Sequence, residues 1–289
     1  MAYKGKRINP SKFEKGQIKI IIIILPLVVF MALPLVFIAN HAFKPMDELY
    51  AFPPTFFVRN ATLENFTKLI KFSRNNSIPM SRYVFNSLIV TVLTVGLSLL
   101  FTTMAAFALS KIKFKGRNLM VNINQIAIMF VATAVLIPRY LVISKLGLIN
   151  TIWVHVLPLI ATPVALFLVK QFVEQVPDSL LEAAYIDGAT DFQVYRKIIL
   201  PMIKPAMATA TILVFQQVWT NMETSNYFTN TDGMKTLTFY MNTLVNANNT
   251  VAGQGIAAAA TLIMFVPNLV LFIILQNGVM NTMAHSGIK

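Results

Sequence analysis

The stretch Glu182-Ala183-Ala184-Tyr185-Ile186-Asp187-Gly188, running on to Ile198-Ile199-Leu200-Pro201, is a polar insertion between two apolar runs in a chain that otherwise avoids charge. Of the eleven acidic residues, five (Glu174, Asp178, Glu182, Asp187 and Asp191) fall in this region. The spacing predicts an elbow of two short helices. Ser179 followed three residues later by Glu182 fits a capping box, which would give Glu182 a purely local use. Leu180, Leu181, Ala184 and Tyr185 form an apolar stripe at helical spacing, and Ala183 with Ala184 keeps that face shallow enough for close approach. Gly188 allows the left-handed turn that ends a helix. Phe192, Val194, Tyr195, Ile198 and Ile199 carry the second helix, which Pro201 is expected to stop. Such an elbow is too polar for lipid and offers its carboxylates to a partner.

The surrounding chain is of a different kind. With 56% hydrophobic and 12% charged residues, it carries about half the charge of an average soluble domain, so its solvent is largely lipid. The net charge of +13 raises nucleic acid as a partner. A nucleic-acid binder gathers its cations on one face of a soluble fold, whereas here they lie in the gaps between apolar runs, as membrane-flanking residues do. Nucleic acid is excluded. The chain has no cysteine and only His41, His155 and His285, which show no ligand spacing, so neither thiol chemistry nor a metal is expected. No phosphate-binding Gly-rich loop occurs. If ATP is used, another chain binds it.

Apolar runs long enough to cross a bilayer, which takes ~20 residues as a helix, predict six spans in an all-α integral membrane protein. They cover Ile20–Ala39, Val84–Leu109, Leu119–Pro138, Thr151–Val169, Ala206–Met222 and Ile256–Gln276. The first is too long for the core of a cleaved signal peptide. Arg139–Asn150 is expected as a short connection, and Thr62–Phe72 has helical spacing in the mixed segment 40–82. Lys and Arg crowd the N-terminal tail, the loop after span two (Lys111, Lys113, Lys115, Arg117) and the loop after span four. Fewer lie in the opposite short loops (Arg139, Lys145; Lys235). The bias places both termini in the cytoplasm, against the pull of the basic residues in 40–82. The expected division is a tail, first span and external segment over 1–82, a permease-like core over 83–276, and a cytoplasmic tail over 277–289.

The cores of spans two to six hold no Asp, Glu, Lys or Arg. Ion-coupled carriers and acid–base enzymes need such groups within the membrane, so neither a self-powered transporter nor an enzyme is expected. What remains is neutral and hydrogen-bonding, Asn86 and His155 among others, and such side chains commonly join spans. The cluster Gln216, Gln217, Trp219, Thr220 and Asn221 places amides beside an indole. That combination suits a hydroxyl-rich, uncharged solute, so these residues with Asn86 are candidates for a substrate path.

Glu182-Ala183-Ala184, three residues, Gly188, nine residues, then Ile198-x-Leu200-Pro201 resembles the EAA loop of binding-protein-dependent ABC importer permeases. The likeness covers nearly the whole chain and is greatest to the MalG-type permeases of carbohydrate importers. It extends to the Pro10-Ser11 tail and to the ending Asn277-Gly278-Val279…Gly287-Ile288-Lys289. The resemblance implies the type I importer permease fold in the cell membrane of a prokaryote. It also implies partners: a second homologous permease, two ATPase subunits that use the ATP, and an extracytoplasmic solute-binding protein. Glu182, Ala183, Ala184, Asp187 and Gly188 would then form the ATPase-coupling surface, and Asn246, Asn248, Asn249 and Gln254 would face the binding protein. The implied cargo is a carbohydrate, an oligosaccharide such as a plant-polysaccharide fragment. Many family members carry Trp-Asn-Asp/Glu-Phe where this chain has Trp219-Thr220-Asn221-Met222, so no substrate contact carries over from that motif. The rival readings are a stand-alone secondary transporter or channel for a small polar solute, and a membrane-anchored sensor.

Overall fold

The computed structural model describes residues 15–74, 78–247 and 253–286. Helix α1 (Lys15–Phe43) runs on through Pro26 and Pro34 and is followed by the single turn α2 (Met46–Leu49) and by α3 (Glu64–Arg74). Then come α4 (Met80–Lys111), α5 (Arg117–Met129), a 3-10 turn at Ala132–Val135 and α6 (Leu136–Lys145). Helices α7 (Trp153–Ile160) and α8 (Pro163–Glu174) precede α9 (Asp178–Ile186). Helix α10 (Asp191–Val194), a π turn at Tyr195–Ile199 and α11 (Leu200–Met202) form one helical run. The chain continues as α12 (Lys204–Trp219), α13 (Glu223–Tyr227), α14 (Leu237–Ala247) and α15 (Gln254–Ser286). A helix satisfies its own backbone, which is what lipid demands of a crossing segment.

Among the described residues, three helices are long and apolar enough to cross a membrane: Ile18–Phe43 of α1 with 26 residues, α4 with 32, and Gln254–Gln276 of α15 with 23. Three bent pairs qualify only if each is one broken span. They are α5 with Thr133–Lys145 at 107°, α7 with α8 at 44°, and Asp191–Met202 with Lys204–Tyr227 at 80°. The expected third span, Leu119–Pro138, is therefore not one straight helix. Phe130 and Val131 are extended (ψ 133° and 131°), and Pro138 lies in the first turn of α6, where a missing N–H costs nothing. The expected connection Arg139–Asn150 is helical as far as Lys145. Likewise α8 reaches Glu174, so its last turn carries Lys170 and Glu174, paired with each other at 2.5 Å.

The chain divides into two compact units. The first holds the described residues of Met1–Leu69 and Asn248–Leu262. Ala42, Ala258 and Ala259 form its core, with Phe43, Phe66 and Leu262 packed against them. The Asn65 carboxamide donates to Ala42 O at 3.0 Å and Lys44 O at 2.8 Å, satisfying carbonyls left over where α1 ends. Glu48 accepts from the backbone N–H groups of Arg59 (2.9 Å) and Asn60 (2.6 Å), and these bonds hold its carboxyl below the usual range.

The second unit holds Ile70–Ala247 and Ile263 onward. Here α4 is the central element, packed against α7, α8 and α12. Its buried face is small and hydroxylic: Ser87, Thr91, Thr94, Ser98, Thr102 and Ala106 repeat every three or four residues. In lipid no hydrophobic force draws helices together, so close approach through small side chains takes over. Arg117 closes the end of α4 by donating to Leu109 O (2.6 Å) and Ser110 O (3.0 Å).

Candidate functional site

The elbow begins where Pro177 fixes the backbone ahead of α9. That start leaves Ser179 inside the first turn, and no side chain caps the helix. The expected Ser179–Glu182 capping box is therefore absent. A capping box does form, one helix later. Thr190 Oγ1 accepts from Gln193 N at 3.4 Å while Thr190 N donates to Gln193 Oε1 at 2.8 Å. Glu182 is exposed and makes no hydrogen bond or ion pair among the described residues. Gly188 adopts φ 79°, a left-handed conformation that costs any side-chain-bearing residue about 1–2 kcal/mol.

The second half of the elbow departs from expectation at Pro201. In an α-helix the Pro201 ring would strike the carbonyl of Lys197, four residues back. The chain widens into the π turn instead, with Leu200 N donating to Tyr195 O, and stays helical through Met202. The proline does not stop the helix. The sharp change of direction falls at Ile203.

One face of the elbow is anchored and the other is free. Val176, Leu181, Val194, Tyr195 and Ile199 are buried among Ala106, Phe107, Val169 and Val173. Lys111, at the end of α4, donates to Val176 O (2.6 Å) and to Asp178 Oδ1 (2.7 Å), and the lysine holds the Asp178 carboxyl below the usual carboxylate range. Tyr185 donates to Asp191 at 2.8 Å; burial first, and that carboxylate second, push its phenol up. On the free face lie Glu182, Ala183, Asp187 and Gly188 with Phe192 and Ile186, the last 86% exposed. The outer face is thus mixed apolar and acidic. Ala184, Asp187, Gly188, Gln193 and Lys197 line a shallow hollow of about 370 Å³ beside it.

The proposed path residues separate into two groups. Asn86 is buried and donates to Gly233 O (2.8 Å) and Lys235 O (2.9 Å). Trp219 is buried, stacked on Phe215 at 5.6 Å, and its indole N–H donates to Met264 O at 3.0 Å. Asn221 accepts from Thr224 N (3.1 Å) and Thr224 Oγ1 (2.9 Å) at the start of α13. These three are engaged within the protein. Gln216, Gln217 and Thr220 are exposed on α12; Thr220 returns its hydroxyl to Gln216 O (2.7 Å), and Gln217 accepts a long bond from Thr162 (3.4 Å).

His155, one of the neutral side chains expected to join elements by hydrogen bonds, is the hub of the connection that follows α12. Its ring nitrogens meet Thr224 Oγ1 at 2.7 Å and Met234 O at 3.0 Å. Arg139 pairs with Glu223, Ser225 with Thr236, and Asn150 with Thr231. Of the expected binding-protein contacts, Asn246 is exposed at the end of α14 and bonds to Asn242 (3.0 Å), and Gln254 is exposed at the start of α15. Asn248 and Asn249 lie outside the described residues. The Thr190-x-x-Gln193 spacing fits the capping-box rule; His155 stands out as a polar group on an apolar run, whereas nothing local gives the partners of Lys111 and Tyr195.

Helices long and apolar enough to cross a bilayer, with one anchored polar elbow among them, define an all-helical membrane protein. Residues 17–277 match the family described as "Binding-protein-dependent transport system inner membrane component", and the chain belongs to that family. It is accordingly a multi-pass protein of the cell membrane and a transport subunit, not an enzyme. The chain is 32% identical to the arabinooligosaccharides transport system permease protein AraQ of Halalkalibacterium halodurans, over 71% of this chain and 72% of that one. It is 28% identical to the probable ABC transporter permease protein YurM of Bacillus subtilis, over 96% and 90%. A solved bacterial ABC transporter involved in import of the acidic polysaccharide alginate shares the fold, with TM-score 0.77 and 20% identity over 93% of this chain and 99% of that one.

Proposed function

We propose that this chain is one permease of an ATP-driven importer that carries an oligosaccharide across the cell membrane. It pairs with a second, homologous permease. Two ATPase subunits bind and hydrolyse the ATP, and an extracytoplasmic binding protein delivers the solute. The chain crosses the bilayer six times, each bent pair counting as one crossing, with the core over 83–276 and both termini cytoplasmic. That orientation is supported by the crowding of Lys and Arg beside the elbow.

The observation that carries this reading is the elbow itself. It is rigidly anchored on one face and leaves Glu182, Ile186 and Gly188 open on the other. An anchored, outward-facing polar and apolar surface is what a force-transmitting subunit contact requires. Glu182, Ala183, Ala184, Asp187 and Gly188 dock on the ATPase, and closure of the ATPases moves the elbow and shifts the path between inward- and outward-open states. Gln216, Gln217 and Thr220 are the path candidates whose polar atoms remain available to a sugar, and Asn246 and Gln254 face the binding protein. The likeness to AraQ supports an oligosaccharide as cargo.

Co-purification from detergent-solubilised membranes, followed by uptake assays in proteoliposomes, tests the proposal. The expected result is a complex containing an ATPase, with uptake that requires ATP. Recovery of the chain without any ATPase, together with uptake driven by an ion gradient, would replace this reading with the stand-alone transporter.

A further inference from the structure

We propose that Tyr195 is the positioning residue that gears the elbow to α4, so that displacement of the docking face is delivered to this span. The inference rests on the reading of the elbow as the ATPase-docking surface.

Tyr195 is 5% exposed, and its hydroxyl lies 2.8 Å from Thr103 Oγ1 on α4. The single Thr103 proton is already engaged with Leu99 O at 2.8 Å, so Tyr195 is the donor. Its ring is set between Phe107 of α4, at 5.8 Å, and Phe192, at 6.1 Å. Phe192 is 60% exposed on the open face of the elbow. A continuous line of contact therefore runs from that face, through Phe192 and Tyr195, to Thr103 and Phe107. Among the described residues the other polar ties between elbow and α4 run from Lys111, 8% exposed, to Val176 O at 2.6 Å and to Asp178, whose side chain is 75% exposed. Water and salt weaken such a pair, whereas the Tyr195 bond is buried and directional.

The π turn sets the geometry of this link. Tyr195 is its first residue, and Pro201 keeps the turn from tightening into an α-helix. The link thus joins a helical run that cannot relax along its own axis to the span on which α7, α8 and α12 pack.

The test uses the assembled complex in proteoliposomes and compares ATP hydrolysis with and without the solute-binding protein. Tyr195→Phe keeps both ring contacts and removes only the hydroxyl. The expected result is a complex of normal composition that hydrolyses ATP at its basal rate but loses stimulation by the binding protein at least tenfold. Thr103→Val should do the same, the double variant should be no worse than either single one, and Thr103→Ser should retain stimulation. Full stimulation in Tyr195→Phe and Thr103→Val overturns the proposal. So does loss of assembly in both, which would make the pair merely structural. Glu182→Arg, run in parallel, separates the two levels. If it fails to couple while Tyr195→Phe and Thr103→Val couple normally, only the gearing is wrong. If Glu182→Arg assembles and couples normally, the reading of the elbow fails and the gearing with it.

Discussion

The elbow at 178–202 and the connection at 220–238 are both polar insertions between apolar helices, yet they use their polar groups in opposite ways. In the connection Thr224, Ser225, Thr229, Thr236 and Thr238 are buried, and much of the polar surface turns inward. His155 holds Thr224 and Met234, Asn86 holds Gly233 and Lys235, Asn150 holds Thr231, and Arg139 holds Glu223. The elbow satisfies its backbone economically, with one capping box and one lysine, and leaves Glu182 and Asp187 open. A buried polar group without a partner costs about 1–3 kcal/mol, so the connection is polar because it is tied to the helices around it. The elbow is polar because something else is meant to cover it.

This contrast is most exposed to refutation at Glu182. Because its carboxylate has no partner among the described residues, Glu182→Arg should change stability by no more than about 0.5 kcal/mol while abolishing ATP-driven uptake and loosening the ATPase. Thermal unfolding in detergent, set beside uptake and co-purification, decides it. An equal loss in both measurements would erase the distinction between the two regions. Gly188→Val adds strain to lost docking. The left-handed φ of 79° predicts abolished uptake together with a stability loss of about 1–2 kcal/mol.

The connection should behave in reverse. His155→Ala leaves Met234 O and the Thr224 hydroxyl short of a buried partner, and should cost about 2–3 kcal/mol. It should lower the melting temperature while the ATPase remains bound. Thr190→Ala removes the capping box and should cost about 1 kcal/mol, with uptake following stability and nothing more.

The smallest effect is expected at the Lys111–Asp178 tie. Lys111 depresses the Asp178 pKa, so its contribution is fully present above the ordinary carboxylate pKa. It is lost only as pH falls through the depressed value. Asp178→Asn should therefore lie below the parent chain in stability by a small, constant amount from neutral pH down to about pH 5, and the two should converge in acid. Denaturation followed against pH checks the sign.

How much of this was legible in advance depends on the range of the signal. Continuous apolar runs marked α1, α4 and α15, because a crossing helix writes its length into hydropathy. The broken pairs were harder. Nothing at Phe130–Val131 announces a break, since neither Gly nor Pro stands there, and Pro138 reads equally well as the end of one helix or the start of the next. In the structure Pro163 and Pro205, like Pro138, stand in the first turns of helices. Glu182 and Gly188 were visible through their spacing and through the conformational need of a tight turn. Tyr195 was not, because its partner Thr103 is 92 residues away along the chain. No local pattern records a contact that only folding creates.

The π turn at Tyr195–Ile199 also sets a limit on how this chain can vary in length. It holds one residue more than an α-helix would in the same advance. Deleting any one of its five residues would remove the extra residue that accommodates the Pro201 ring, so the run would kink and re-aim Glu182 and Gly188 relative to the helices that follow. A single-residue deletion there should therefore be read by the cell as a misaimed docking face, whereas one at an exposed loop tip would pass as a trimmed surface.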